Sequence, residues 1–298
     1  MIDITQIVIP TTVAQTPTSS YIFLKETDKI QDLLLKLLEG LAKEFGTHRH
    51  CSMSHQHHHN SEGQHGHGSD VAHKDYASAN KEHYANATSS EENPKWIELA
   101  RRSARAILAR YPFDEESTSV MDFACNRGLL SKEIAGHTKL LVGVDISQTP
   151  VDLFNEHVSN QGIPQEEMRA VCIELKGEEG ELDGLKFDVI TCAASYHHFE
   201  SIDTITKTLA FFLKPSGVLF VVDITPKESE GSSAPDQALF PEKYRHVVAH
   251  HHGLSEGAMK AAFDGAGLTS FSFEPISPVQ IHEHDAILFI AKGVKPAV

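Results

Sequence analysis

The chain has 298 residues, 40% of them hydrophobic, and a formal net charge of −15. That length supports one catalytic domain of about 200 to 250 residues with extensions. The acidic balance repels phosphate backbones and no basic patch offsets it, which disfavours a nucleic-acid partner.

In chain order, residues 1 to 24 are rich in Thr, Val and Ile, with Pro10 and Pro17, and read as short extended pieces. From Asp28 to Phe45 the positions Ile30, Leu34, Leu37, Leu38, Leu41 and Phe45 recur at helical spacing, and Gly46 is a natural stop. This amphipathic helix makes 1–47 an N-terminal extension. Its stripe suits packing on the main domain, with a homodimer or partner contact as the alternative. A polar, glycine-rich tract follows, crowding His48, His50, His55, His57, His58, His59, His65, His67 and His73. Such a composition builds no core, so 48–74 reads as a flexible linker, the competing reading being a weak divalent-metal site.

From Asp75 the composition turns globular. The stretch NPKWIELARRSARAIL places Trp96, Leu99, Ala100, Ala104, Ile107 and Leu108 on one helical face. Strands and helices then alternate: strand 119–124, helix 129–135, strand 139–145, helix 150–160, strands 168–173 and 187–192, helix 203–213, strand 217–223. A polar stretch, 225–241, precedes a helix at 255–266 and two strands near 268–273 and 286–291. Alternation of this kind implies a parallel sheet wrapped by helices, with ligands at the carboxyl ends of the strands.

The loop VMDFACNRGLLS, 120–131, occupies that position. A dinucleotide site would need G-x-G-x-x-G, and only Gly128 is present, so a nicotinamide cofactor is disfavoured. The stretch resembles motif I of the class I S-adenosylmethionine-dependent methyltransferases, with Asp122, Ala124, Asn126 and Gly128 on the positions of the pattern D/E-x-G-x-G-x-G. LLVGVDIS, MRAVCIEL, FDVITCAASYHHF, LKPSGVLFVVDI and HHGLSEGAMKAAFDGAGL continue the resemblance in family order from Asp75 to Lys292. Within the family the chain looks most like ubiquinone/menaquinone C-methyltransferase-like enzymes of small molecules.

The resemblance implies an α/β fold, a doubly wound Rossmann-like sheet of about seven strands carried by residues 75–298. It implies S-adenosyl-L-methionine as cofactor, held by the loop residues Asp122, Ala124, Cys125, Asn126 and Gly128. Asp145 would take the ribose hydroxyls with Ile146 beside it, Glu174 would frame the adenine, and Ala193 would close the site at the fourth strand. Asn126 replaces a glycine, and asparagine is one of the few residues that tolerate the left-handed region this turn requires. Bland readings stand beside these: Asp122 and Asp145 as helix caps or partners of loop amides, and Cys125 as a small packed residue.

Methyl transfer needs a base when the acceptor must lose a proton, and His197 and His198 are the candidates, with a structural role in the loop as the alternative. His246, His250, His251 and His252 form a second cluster, and Phe240 and Tyr244 are candidate walls of an acceptor pocket. Metal binding by His250 to His252 is disfavoured because consecutive side chains diverge; no metal site is assigned. Tyr76, Tyr84 and Trp96 would form a lid or simply pack.

The four cysteines, Cys51, Cys125, Cys172 and Cys192, form no C-x-x-C pair, which suits reduced thiols and a cytoplasmic protein. No apolar run reaches the roughly 20 residues of a membrane span, and the opening MIDITQ lacks the basic start of a signal peptide. The expected function is methyl transfer to a small organic acceptor at O, N or C. The rivals are a non-catalytic binding or regulatory subunit with the same fold, and a metal-handling protein built around the histidine tract.

Overall fold

The computed structural model describes residues 75–85, 93–227 and 238–297. The amphipathic helix expected at Asp28–Phe45, the histidine tract and Cys51 lie outside the described residues. Helix α1 (Tyr76–Ala85) leads in, and α2 (Pro94–Leu108) follows, started by Pro94 at its first turn and by Asn93, whose side chain accepts from the Lys95 amide at 2.9 Å. The alternating part runs β1 (Ser119–Phe123), α3 (Leu129–Ile134), β2 (Leu140–Asp145), α4 (Gln148–Asn160), β3 (Met168–Cys172), β4 (Phe187–Ala193), α5 (Ile202–Phe212) and β5 (Leu213–Pro226). Helix α6 (Glu256–Gly265) and the strands β6 (Thr269–Ile281) and β7 (His284–Val294) complete the order.

The seven strands form one sheet in the order β3-β2-β1-β4-β5-β7-β6. Five are parallel, as the alternation predicts, and the doubly wound α/β class holds. β7 departs from the parallel expectation: it pairs antiparallel with both β5 and β6, so the sheet is mixed. The central strands are apolar on both faces because helices cover both. Met121 and Phe123 of β1 pack with α5 and α6, while Val120 packs with α2, α3 and α4. The same alternation in β5 sends Leu219 and Val221 one way, Phe220 and Val222 the other.

Two further differences from the sequence reading matter for the site. β5 runs on to Pro226, and β6 and β7 are about twice the expected length, joined by a two-residue turn at His282 and Glu283. The hairpin therefore projects past the carboxyl ends of the parallel strands. Trp96, placed by periodicity on the apolar face of α2, is 52% exposed, and the buried face is made by Ala100, Ser103, Ala104, Ala106 and Ile107. Small residues line that face because α2 lies close against α3. No helix of the described residues is long and apolar enough to cross a membrane.

Candidate functional site

β1 ends in a tight loop whose alternate residues turn left-handed: Ala124 at φ +56°, Asn126 at φ +48° and Gly128 at φ +76°. The first two carry a Cβ, at a strain of about 1 kcal/mol each, and the loop is pinned to hold them. Cys125 N–H donates to Val144 O at 3.1 Å and Gly128 N–H to Cys125 O at 2.8 Å. Asn126 Oδ1 accepts from the Arg127 amide at 2.8 Å, so the side chain that replaces a glycine closes its own turn. Gly128 is required twice over: its φ is positive, and a Cβ there would stand 2.4 Å from the Phe154 ring. Gly143 has the same tightness, since a Cβ would meet Cys125 Sγ at 2.8 Å. Cys125 is thus a packed residue of the loop, and burial pushes its thiol well above the ordinary range.

The two acids occupy different places. Asp145, half-buried at the end of β2, accepts the Asn126 amide on one oxygen and the Ser147 amide on the other, both at 2.9 Å. Burial raises its carboxyl, and the amides of Ser147, Asn126 and Ile146 oppose that. Each oxygen keeps acceptor capacity for one more donor, which is what a pair of ribose hydroxyls would need. Asp122 is 2% exposed and lies beneath the loop, accepting from the hydroxyls of Ser131 and Thr191. Burial pushes it up to about 6, against the pull of those hydroxyls.

Ile146 and Ala193 are half-buried at the ends of β2 and β4, and Glu174 is exposed two residues past β3. The Cys172 thiol donates to Ile146 O at 3.5 Å. The backbone curls left-handed again at Ala194, φ +53°, just after β4.

The histidine pair follows, and its members are held differently. His197 is buried, with Nδ1 2.8 Å from Oδ1 of Asp223, a fully buried residue near the end of β5. Burial alone would raise Asp223, but His197 and the backbone amides of Ile224 and His197 hold its carboxyl below the usual range. An ionised carboxylate only accepts, so Nδ1 carries the proton and Nε2 carries the lone pair when the imidazole is neutral. His198 Nδ1 lies 2.6 Å from Val247 O, and its Nε2 lies 3.3 Å from the Tyr84 hydroxyl. Both nitrogens are spent, the first donating and the second accepting. Burial, with the neighbouring His197, pushes His198 down to about 3. Burial and the Asp145 carboxylate push Tyr84 up to about 12, so this phenol stays a donor.

Around the pair, α1 and the segment after β5 are tied together. Asn80 of α1 donates to the same Val247 carbonyl at 2.9 Å, and Ser147 Oγ donates to Lys81 O at 3.4 Å. The amides of Ala249 and His250 donate to His197 O at 2.9 and 3.0 Å, and the His250 ring bonds to Phe199 O through Nε2 at 3.0 Å. Phe240 stacks on His197 with centroids 4.7 Å apart, while Tyr244 stacks on His282. His246 meets His83 of α1 at 6.2 Å between centroids. No group of three metal-ligating side chains occurs among the described residues.

Of the residues singled out by sequence, hydrogen bonds join Asn126 to Asp145, and a stacked ring pair joins His197 to Phe240. Tyr84 sits at the site, whereas Trp96 is exposed. Asp223 was missed, though the pattern VVDI carried the signal: it is a third acid at the end of a strand. The roles of Asn80 and the Val247 carbonyl have no sequence signature.

Residues 96–272 match the family model for a methyltransferase domain. The chain is 33% identical over 156 residues to an uncharacterized methyltransferase of Schizosaccharomyces pombe, covering 51% of this chain and 54% of that one. It is 31% identical over 128 residues to a ubiquinone biosynthesis O-methyltransferase of Histophilus somni, covering 43% of this chain and 50% of that one. The chain spans about half the length of these curated relatives. Among solved structures, geranyl diphosphate C-methyltransferase from Streptomyces coelicolor superposes with a TM-score of 0.58 at 11% identity, over 74% of this chain and 98% of that one. At that identity the likeness is one of fold. The family match takes in more than half of the chain, and the protein belongs to the methyltransferase domain family.

Proposed function

We propose that this chain transfers the methyl group of S-adenosyl-L-methionine to a hydroxyl oxygen of a small organic acceptor, with His197 as general base. The observation that carries the reading is the buried His197–Asp223 contact of 2.8 Å, which fixes the lone pair on Nε2. A non-catalytic subunit has no need of a base so arranged.

The cofactor assignment rests on family membership and on the free acceptor capacity of Asp145 beside the loop after β1. Asp145 would accept both ribose hydroxyls, and the loop from Ala124 to Gly128 would lie against the methionine part. Ile146, Glu174 and Ala193 would border the adenosine. Asp122 acts from beneath, as a negative charge under the loop facing a cationic ligand. S-adenosylmethionine supplies an electrophilic methyl on a sulfonium that leaves as a neutral thioether. As the acceptor oxygen bonds to the methyl carbon, His197 Nε2 takes the hydroxyl proton, and Asp223 stabilises the imidazolium formed. His198, uncharged and fully engaged, holds Tyr84 and the Val247 carbonyl in place. Such positioning and exclusion of water supply much of the acceleration in a displacement that neutralises charge. The free thiols of Cys125, Cys172 and Cys192 support a cytoplasmic setting.

The test is calorimetric titration of the purified chain with S-adenosylmethionine and S-adenosylhomocysteine, beside Asp145→Ala. Micromolar binding that the variant loses supports the reading. A wild type that binds neither overturns it.

A further inference from the structure

His197 stands on the single turn Tyr196–His198, and two sets of bonds fix it. Asp223 holds the residue itself, taking the ring at Nδ1 on one oxygen and the His197 N–H on the other at 3.2 Å. The main chain that leaves the turn is held from the segment after β5, and His250 grips it twice. Its N–H donates to His197 O at 3.0 Å, alongside the Ala249 amide, and its ring reaches Phe199 O through Nε2 at 3.0 Å. A carbonyl only accepts, so His250 carries its proton on Nε2, the opposite nitrogen to that of His197.

The grip is anchored to the strand that carries Asp223. Leu254 N–H donates to Ile224 O at 2.9 Å, and Gly253 N–H donates to His250 O at 3.1 Å. Gly253 takes φ +77°, and a Cβ there would stand 2.8 Å from Ile224 O, so the segment comes this close to β5 only as glycine. At its other edge Leu239 N–H donates to His251 O at 2.8 Å. Backbone contacts thus fix His250 and Asp223 relative to each other, and the turn of His197 is bonded to both. Burial holds the half-buried His250 below the ordinary imidazole range, against the opposing pull of Phe199 O and Asp223. A neutral ring there adds no positive charge near a base that must take up a proton. His246 and His252 of the same histidine cluster are exposed.

We propose that His250 is a positioning residue for the base: its ring, donating to Phe199 O, clamps the main chain of the turn while Asp223 holds the imidazole, and together they keep His197 in one orientation with Nε2 unprotonated. The inference rests on the methyl-transfer reading and deepens it. A base displaced by about 1 Å loses about a hundredfold in rate, so the support of the turn matters as much as the contact at the ring.

The test reads the imidazoles of the full chain by nitrogen-15 NMR at mildly alkaline pH, where the protonated nitrogen of each neutral ring is distinguished. The two rings are identified by the signals lost in His197→Gln and His250→Gln. In the wild type His250 should be protonated on Nε2 and His197 on Nδ1. His250 protonated on Nδ1 overturns the inference, since the ring then has nothing to donate to Phe199 O. His250→Leu should turn the single His197 tautomer into a mixture, and His250→Gln, whose amide can donate to the same carbonyl, should restore the single form. A residue that only held the fold together would lower the melting temperature and leave the His197 tautomer unchanged. An unchanged tautomer in the folded Leu variant therefore overturns the inference, as does a mixture in the folded Gln variant. Where the Leu variant does not fold, the wild-type His250 tautomer and the Gln variant decide. The spectra need no cofactor. A chain that fails to bind S-adenosylhomocysteine overturns the methyl-transfer reading, an outcome separable from what the tautomers say of His250.

Discussion

Where β1 and β2 end, the loop is tied by a bond between residues 19 apart in sequence, the Asn126 amide and the Asp145 carboxylate. Around the histidine pair, the bonds join residues 26 apart (His197 and Asp223), 49 apart (His198 and Val247), 114 apart (Tyr84 and His198) and 167 apart (Asn80 and Val247). The first is a local turn whose shape comes from φ angles and backbone amides. The second is assembled by side chains and carbonyls that only the finished fold brings together. On the proposed function, the cofactor would be held by a local turn and the acceptor by groups that only the surrounding elements deliver.

The sharpest way to break that contrast is at the dyad. His197→Ala should lower turnover by about 10² to 10⁴ while leaving the affinity for S-adenosylhomocysteine near the wild-type value. Asp223→Asn should lose nearly as much, because an amide can donate to Nδ1 and so move the proton to Nε2. His198→Ala should act differently, raising KM more than it lowers kcat, since it frees Tyr84 and α1. Steady-state kinetics with calorimetry separates these patterns. If His198→Ala proves as damaging to kcat as His197→Ala, the division of roles within the pair is wrong.

Asp145→Ala attacks the other end. The variant loses a carboxylate that anchors two amides and has capacity left for two hydroxyls, so cofactor affinity should fall about a hundredfold, on the order of 3 kcal/mol. Calorimetry measures it. A loss below about threefold would leave the loop backbone as the whole of the cofactor site.

Asp122 tests what a buried charge beneath the loop does to the fold. Its carboxyl is raised to about 6 from 3.8 by burial, so between those values the folded chain binds more protons than the unfolded one. Stability must therefore fall as pH rises through that window, by about 3 kcal/mol at most, and stay at the lower level above it. Asp122→Asn removes this slope. In denaturant melts the variant should gain on the wild type between pH 4 and 6, and should bind S-adenosylmethionine less tightly at pH 7 if the charge faces the sulfonium. Parallel pH profiles would mean that Asp122 titrates normally, the hydroxyls of Ser131 and Thr191 offsetting its burial in full.

The same contrast governs what could be read from the sequence. The strands β1 to β4 are apolar runs bounded by acids and turns, and their limits are legible to within about two residues. The hairpin of β6 and β7 was not, because Pro275 and Pro278 look like chain breakers. β6 lies at the sheet edge, however, where a missing amide costs little. Its turn at His282 and Glu283 has no glycine or asparagine to announce it, so the left-handed His282 is tertiary in origin. Asp145 and the loop were legible because spacing encodes them. The partition of roles between His197 and His198 was not, since it depends on whether Asp223 or Val247 faces Nδ1.

The smallest expected effect falls on the residue that departs most from the family pattern. Asn126→Gly would relieve about 1 kcal/mol of left-handed strain. It would also lose the bond from the Arg127 amide to Asn126 Oδ1, worth about 0.5 to 1.5 kcal/mol, and loosen the unfolded chain by a further 0.5 to 1 kcal/mol or so. These partly cancel, and stability should drop by no more than about 1.5 kcal/mol in a denaturant melt. The amide that reaches Asp145 belongs to the backbone and survives the change, so cofactor affinity should move less than about threefold. A tenfold gain in affinity would mean that the asparagine side chain intrudes on the cofactor. The loop would then be shaped against its ligand, and its self-closing hydrogen bond would be a restraint on binding.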